Sequence, residues 1–524
     1  MNLGIQLQAI IHELKLIGLK QVIVSPGSRN APLVAAFLKD SHFQIHSFPD
    51  ERSAAFAAMG MAQHSQQICA FLSTSGSALV NAFPAVCEAY YQRIPLLIMS
   101  ADRPEELIDQ WDGQTMRQAG IFGDYVRGNM HFNARKFKSN SIIRFNNQIS
   151  AQTKGPFHIN IAISDPIYEG VDSPMLNHVS SLENKDNPTY FTPSKLPEIK
   201  PNEGVLILIG QHHVSDELSK SLKHIEAQTP ILTDVCSQQF ELGLSGWDAA
   251  LLSNKQDASL VPDVLITIGM ATISKPLKTL FRTYKPKRHL HISTSTEVGD
   301  PFQTQPEIVQ FDEVNFLNKF KFPSKPSKLL KSKWVQFISE NPIETNGWAV
   351  NFQQEFQWVR TFMKQLKEHD ILHLGNSMAV RYGSWAGICK APIYSNRGIS
   401  GIDGCLSTAV GFAKSCPEKN VYLIIGDISV IYDAHGLWTD IPPNLKVIIL
   451  NNRGGKIFDW IKGPNDYPPL KKYIQTPQDK DFSKLAAFYG ISHVSFAVSE
   501  MDASFNTILD LNNKRALLIE LYSD

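Results

Sequence analysis

Two apolar runs in this sequence end on side chains that could hold a cation. VYLIIG runs into Gly426-Asp427, and KVIIL runs into Asn451-Asn452, followed by Arg453-Gly454-Gly455. Both runs have strand character, and open α/β sheets bind ligands at the carboxyl ends of their strands. An aspartate carboxylate, an asparagine amide oxygen and a glycine carbonyl make a hard-oxygen set. Mg²⁺ suits such a set, because it takes few protein ligands and completes its octahedron with phosphate and water. Asp427, Asn452 and the Gly454 carbonyl are therefore candidate ligands, with Mn²⁺ as the alternative ion. Gly-Asp and Asn-Asn also serve as ordinary turn formers, so the pair needs company. A further acid, Glu51, lies in FPDERSAAFAAMGMA at the first turn of an alanine-rich helix, where complementing the macrodipole is a sufficient role.

The elements that must position these residues follow a regular plan. MNLGIQLQAIIHELKLIGLK reads as an amphipathic helix, with Leu3, Leu7, Ile10, Leu14 and Ile17 at helical spacing and charges that exclude a signal peptide. Strand-like runs then alternate with helical stretches: QVIVS, ICAFLS, PLLIMS and HINIAIS in the first part, VLILIG, ILTDV, DVLITIG and HLHIS in the second, and ILHLG, VYLIIGD, KVIILNN and ALLIELY in the third. Such alternation means parallel sheets with crossover helices. The polar, proline-bearing segment from Leu182 to about Glu203 and the lysine- and proline-rich segment between Pro323 and about Asn346 suit linkers. Three α/β domains are expected, at 1–182, 203–323 and 347–524. The middle one is expected to be Rossmann-like, with roughly six strands.

The motifs carry a resemblance. The Gly-Asp and Asn-Asn pair resembles the thiamine-diphosphate signature, with Ile428 where that signature has a second glycine and a spacing slightly shorter than usual. FPDERSAAFAAMGMA and STSGSALVNAFPAVCEAYYQRIP are similar to its pyrimidine-side half. Across essentially the whole chain, VSPGSRNAPL, SADRPEEL, GQTMRQ, GPFHINI, LHLGNSMAVR, NRGISGIDG and NNRGGKIF resemble the family of 2-succinyl-5-enolpyruvyl-6-hydroxy-3-cyclohexene-1-carboxylate synthases. The resemblance implies thiamine diphosphate with Mg²⁺ or Mn²⁺, decarboxylation of 2-oxoglutarate, and transfer of the resulting four-carbon unit to isochorismate on the route to menaquinone. It makes 1–182 the pyrimidine-binding domain and 347–524 the diphosphate- and metal-binding domain.

Residue by residue, the resemblance implies that Glu51 is the catalytic acid against the aminopyrimidine N1′. Ser28, Arg29, Arg103, Gln114 and Lys275 would face isochorismate, and Ser377, Arg381 and Arg397 the oxoacid-derived part. Ile402 would lie beneath the cofactor, and Ile457 and Phe458 over its thiazolium. Asn376, Gly426 and Ser429 would be further cofactor contacts on strand-end loops. Chemistry gives the arginines an independent reason, because both substrates are dicarboxylates and guanidinium groups grip carboxylates bidentately.

Composition sets outer limits. The 524 residues carry 50 Lys+Arg against 50 Asp+Glu, a balance that argues against a general nucleic-acid binder. Six scattered cysteines without C-x-x-C spacing read as thiols in a reducing compartment. No apolar run approaches the roughly 20 residues of a membrane span, so stable membrane insertion is not expected and a cytoplasmic location is. An acetolactate synthase is disfavoured because residues 200–330 lack glycine spacing for a dinucleotide, and a silent scaffold because it needs none of Glu51, Asp427 and Asn452. The family pattern further implies a homodimer or homotetramer with sites shared between subunits.

Overall fold

The computed structural model describes residues 3–136, 149, 154–169, 196–239, 241–252, 257–387, 389–460, 466–510 and 515–523. Most of the expected linker from Leu182 lies outside the described residues. Three sheets, every pairing in them parallel, form the frame. The first contains β1 Gln21–Val24, β2 Gln44–Ser47, β3 Cys69–Ser73, β4 Leu96–Asp102, β5 Gly128–Asn133 and β6 Phe157–Ala162, in spatial order β2-β1-β3-β4-β6-β5. The third contains β12 Ile371–Leu374, β13 Ile393–Tyr394, β14 Val421–Gly426, β15 Leu445–Asn451, β16 Ser492–Ala497 and β17 Leu517–Tyr522, in order β13-β12-β14-β15-β17-β16. Counted within each unit, the two orders are the same.

The central strands β3, β4 and β6 are buried at every position, the consequence of helices on both faces. The middle sheet has five described strands where the sequence suggested about six. These are β7 Val205–Ile209, β8 Ile231–Thr233, β9 Val264–Ile268, β10 Arg288–Ser293 and β11 Glu307–Gln310, in the doubly wound order β11-β10-β9-β7-β8. The segment expected as a second linker instead forms the helix Ser324–Glu340. Its Leu330, Trp334 and Phe337 are buried against Leu206, Leu265 and Phe281, and the Trp334 indole donates to the Leu260 carbonyl at 3.0 Å. The lysines that gave the segment its polar look occupy the other face.

The first and third units share one core. The helix Glu51–Ser65 lies against the helix Cys405–Ser415, and Ala54, Ala57, Met61, Leu406, Val410 and Ala413 are all fully buried between the two sheets. The backbones approach so closely that a Cβ at Gly60 would overlap the Thr408 carbonyl, and one at Gly411 the Ala57 carbonyl. Among the described residues no helix is long and apolar enough to cross a membrane. All six cysteines are free thiols, five of them buried.

Candidate active site

Strand register assembles the third-unit residues. Gly426 pairs with Leu450, and β12 lies on the other side of β14, so Gly375-Asn376-Ser377, Asp427 and Asn451-Asn452 leave three adjacent strands at one sheet edge. Asp427 is buried. Its Oδ1 accepts the Ile428 N–H at 2.8 Å, and its Oδ2 accepts the Gly454 N–H at 2.8 Å and Gln478 Nε2 at 2.7 Å. Burial raises its carboxyl pKa, while these donors pull it back. The Asn452 amide is turned by a third acid: its Nδ2 donates to Glu355 Oε1 at 3.0 Å, which leaves Asn452 Oδ1 buried without a partner. Tyr382 donates to the other Glu355 oxygen at 2.9 Å, and burial pushes the Glu355 carboxyl up to about 7.

These details fit a hard cation. A buried amide oxygen with no donor is costly unless something positive meets it, and an ionised carboxylate has capacity beyond three hydrogen bonds. Gly454 has φ +142°, and a Cβ there would crowd the Gln475 carbonyl at 3.1 Å and Pro477, so the close turn requires glycine. Its carbonyl also accepts the Lys456 N–H at 2.9 Å. Asp427, Asn452 and Gly454 can hold the metal. Ser429 is buried on the short helix Asp427–Tyr432, and Ile457 and Phe458 are half-buried on the helix Ile457–Trp460.

A cationic cluster stands beside the β12 loop. Ser377 precedes the helix Met378–Ala386 with φ +77°, and its carbonyl accepts Arg381 Nη1 at 2.6 Å. Arg397 Nη1 donates to Asn376 Oδ1 at 2.8 Å, while Arg397 Nε is buried without a partner. The Asn376 amide donates to the Asn396 and Gly401 carbonyls, both at 2.7 Å, and so ties down the loop that carries Arg397 and the half-buried Ile402. Burial, and then repulsion from Arg397, lowers the Arg381 pKa. Burial followed by Arg397 likewise lowers the pKa of Lys278. Burial raises the carboxyl pKa of nearby Asp248 and pushes that of Asp234 up to about 6. Three crowded cations at a strand-end loop suit an anion. Lys278 and Arg397 also border a cavity of about 690 Å³ between the first and middle units. Lys275, the lysine singled out from the sequence, is exposed at the first turn of the helix Lys275–Thr283.

The first-unit residues gather at the carboxyl ends of β1, β2 and β4. Ser28 is exposed and Arg29 buried, with Arg29 Nη1 donating to the Ile163 carbonyl at 2.9 Å and lying 3.4 Å from Asp165 Oδ1. Glu51 opens its helix half-buried, with Asn81 Nδ2 3.3 Å from its Oε2, while the capping is done by Asp50, which accepts the Ser53 N–H at 2.8 Å. Arg103 pairs with Asp112. Gln114 is exposed with φ +56° and passes over Gly76, where a Cβ would meet the Gln114 backbone at 3.3 Å. Beneath this loop, buried Gln118 accepts the Gly76 N–H at 2.7 Å and donates to Asn160 Oδ1 at 2.9 Å, and Asn160 in turn donates to Asp102 Oδ2 at 2.7 Å.

Among the described residues, no hydrogen bond or ion pair joins Ser28, Arg29, Glu51, Arg103 or Gln114 to Arg381, Arg397, Asp427 or Asn452. The residues on either side of Glu51 do touch the third unit: His435 Nδ1 lies 3.0 Å from Asp50 Oδ2, and Arg52 donates to the Tyr432 carbonyl at 2.7 Å. Sequence reasoning missed Glu355, Gln478 and Lys278. Glu355 did leave a signal, because it sits between Phe352, Phe356, Val359 and Phe362 on the apolar stripe of the helix Val350–Gln365, where a carboxylate is out of place.

Comparison with known proteins shows the family. Residues 7–121 match the thiamine pyrophosphate enzyme N-terminal TPP binding domain, and residues 389–521 the C-terminal TPP binding domain. The chain is similar to three proteins named 2-succinyl-5-enolpyruvyl-6-hydroxy-3-cyclohexene-1-carboxylate synthase. One, from Desulfotalea psychrophila, is 32% identical over 97% of this chain and 96% of the relative. Another, from Cytophaga hutchinsonii, is 34% identical over 91% and 88%, and a third, from Flavobacterium johnsoniae, is 33% identical over 98% and 95%. With both cofactor-binding domains present and similarity running nearly end to end, the chain belongs to the 2-succinyl-5-enolpyruvyl-6-hydroxy-3-cyclohexene-1-carboxylate synthase family of thiamine-diphosphate-dependent enzymes.

Proposed function

We propose that the enzyme decarboxylates 2-oxoglutarate on thiamine diphosphate and joins the four-carbon remainder to isochorismate. The products are 2-succinyl-5-enolpyruvyl-6-hydroxy-3-cyclohexene-1-carboxylate and CO₂, in menaquinone biosynthesis within the cytoplasm. When bound, thiamine diphosphate would supply a nucleophilic carbon that adds to the oxoacid carbonyl and a cationic ring that takes up the electron pair left when CO₂ departs, and Mg²⁺ or Mn²⁺ would neutralise its diphosphate. Asp427, Asn452 and Gly454 hold the metal, and Gly426, Asn376, Ser377 and Ser429 line the diphosphate side. Glu51 holds a proton against the pyrimidine N1′ and is the catalytic residue. Ile402 supports the cofactor from below, while Ile457 and Phe458 exclude water above it, protecting a basic carbon from stray protonation.

Ser377, Arg381 and Arg397 grip the oxoacid carboxylates. Ser28, Arg29, Arg103, Gln114 and Lys275 receive isochorismate. The observation that carries the reading is that one sheet edge presents both the orphaned Asn452 oxygen and the strand-end loops that carry Arg381 and Arg397. The active unit is a homodimer, alone or paired into a homotetramer, because the Glu51 group and the Asp427 group need a second copy to face one another. Mass spectrometry of products tests the reaction, with thiamine diphosphate, Mg²⁺, 2-oxoglutarate and isochorismate each omitted in turn. The coupled product is expected only in the complete mixture; CO₂ release from 2-oxoglutarate with no adduct in the presence of isochorismate overturns the second half of the reaction.

A further inference from the structure

Glu88 falls within the stretch STSGSALVNAFPAVCEAYYQRIP but has been given no role above; it lies on the helix Phe83–Gln92 of the first unit and is 1% exposed. No basic side chain pairs with it among the described residues. Instead its carboxylate reaches across the unit boundary to three successive backbone N–H groups of the third unit. Oε1 accepts from Gly398 at 2.6 Å, and Oε2 accepts from Ile399 at 2.8 Å and Ser400 at 3.3 Å. Ser400 has φ +64°, in the left-handed region, so the three amides curl into a concavity that suits an anion. Gly398 fits because a Cβ there would meet the Glu88 carbonyl at 2.6 Å. Burial raises the Glu88 carboxyl pKa, and the amides pull it back down.

The same acid anchors a buried chain through all three units. Gln92 Nε2 donates to Glu88 Oε1, and Gln92 Oε1 accepts from Gln63 at 3.2 Å and from Gln211 of the middle unit at 2.7 Å. Gln211 Nε2 also lies 3.4 Å from the Ser395 carbonyl. The loop from Ser395 to Gly401 is therefore pinned before Arg397 by Gln211 and after it by Glu88, while Asn376 holds the Asn396 and Gly401 carbonyls. Arg397 is the one charged side chain in this stretch, and Ile402 follows at its end.

We propose that Glu88 is a positioning residue, whose carboxylate fills the amide concavity of residues 398–400 and so fixes where the Arg397 guanidinium and Ile402 stand relative to the first and middle units. The kinetic part of this inference rests on the reading of Arg397 as a carboxylate grip; the structural part does not. A glutamine at position 88 keeps the size but turns an NH₂ toward at least one of the three amide donors, leaving a buried donor unmatched.

The test uses the full-length protein with wild type, Glu88→Gln, Arg397→Lys and the double variant. Hydrogen exchange should show the amides of Gly398, Ile399 and Ser400 opening about tenfold faster or more in Glu88→Gln, with the helix Cys405–Ser415 unchanged. In steady-state kinetics, KM for 2-oxoglutarate should rise about tenfold while KM for isochorismate moves less than about twofold, and the double variant should lose little beyond Arg397→Lys, because contacts acting through one group are not additive. Unchanged exchange at 398–400 overturns the clamp, and additive losses overturn its action through Arg397. If Arg397→Lys alone leaves 2-oxoglutarate kinetics untouched, the carboxylate-grip reading falls, while the exchange data still decide the clamp. Should Glu88→Gln fail to fold, Gly398→Ala displaces the loop from the other side and is expected to show the same exchange and KM changes; normal exchange in that variant overturns the proposal.

Discussion

Asp50 and Glu51 are adjacent acids at one helix start, and the structure separates their work. Asp50 accepts the Ser53 N–H and faces His435, so it is the residue whose loss would fray the helix, whereas Glu51 carries, among the described residues, only the exposed Asn81 contact. Glu51→Gln is accordingly expected to leave the melting temperature where it was and to lower turnover by roughly 10²- to 10⁴-fold, the usual scale of a proton-handling group. Near-normal turnover in a well-folded variant removes Glu51 from the mechanism. The strand-end positions of Asp427 and Asn452 were legible in the sequence because each directly follows an apolar run. Gln478 was not, since it reaches Asp427 from a distant segment that only the fold brings near, and Glu355 showed only as an acid out of place on an apolar stripe, with its partner Asn452 hidden until the chain folds. Lys275 and Lys278 show the same limit at closer range: three residues apart on one helix, they differ in exposure in a way that depends on what packs beside them.

Elements buried on both faces were easy to read, and elements at margins were not. β3, β4, β7, β9, β14 and β15 announce themselves as continuous apolar runs. The strands that gave no clear signal, β2, β5, β11, β13 and β16, all lie at sheet edges, where the run is broken by polar residues or, in β13, is only two residues long. The helix Ser324–Glu340 escaped notice for a related reason, since its lysines and proline mask the few aromatic and aliphatic side chains that dock it. The close packing of Glu51–Ser65 on Cys405–Ser415 gives the element scale its own test. Gly60→Val puts side-chain atoms where the Thr408 carbonyl already is, and forced overpacking of this kind costs about 1–3 kcal/mol or more. The denaturant midpoint of Gly60→Val should fall clearly, whereas Gly113→Ala, which has nothing within 4 Å of its new Cβ, should leave it unchanged. Equal midpoints for the two variants would mean that the helix contact is looser than described.

At the scale of the whole molecule, the first and third units repeat one strand order, and each presents half of the proposed site. A symmetric pair of chains that completes one such site necessarily completes its twin. Mixing inactive Glu51→Gln with inactive Asp427→Ala under subunit exchange should therefore restore activity, because a mixed dimer holds one intact site and one doubly damaged site. Exchange demonstrated by differential tags without recovery of activity rules out the shared site. The core common to the two units also bears on how the chain is made. Residue 65 leaves the ribosome about 340 residues before residue 405, and at about 5–20 residues per second that is a delay of roughly 20–70 s. During that time the face of the helix Glu51–Ser65 that carries Ala54, Ala57 and Met61 has no partner to cover it. A nascent chain with so long a wait presents a binding site for ribosome-associated chaperones, and slower translation of the middle unit lengthens the exposure.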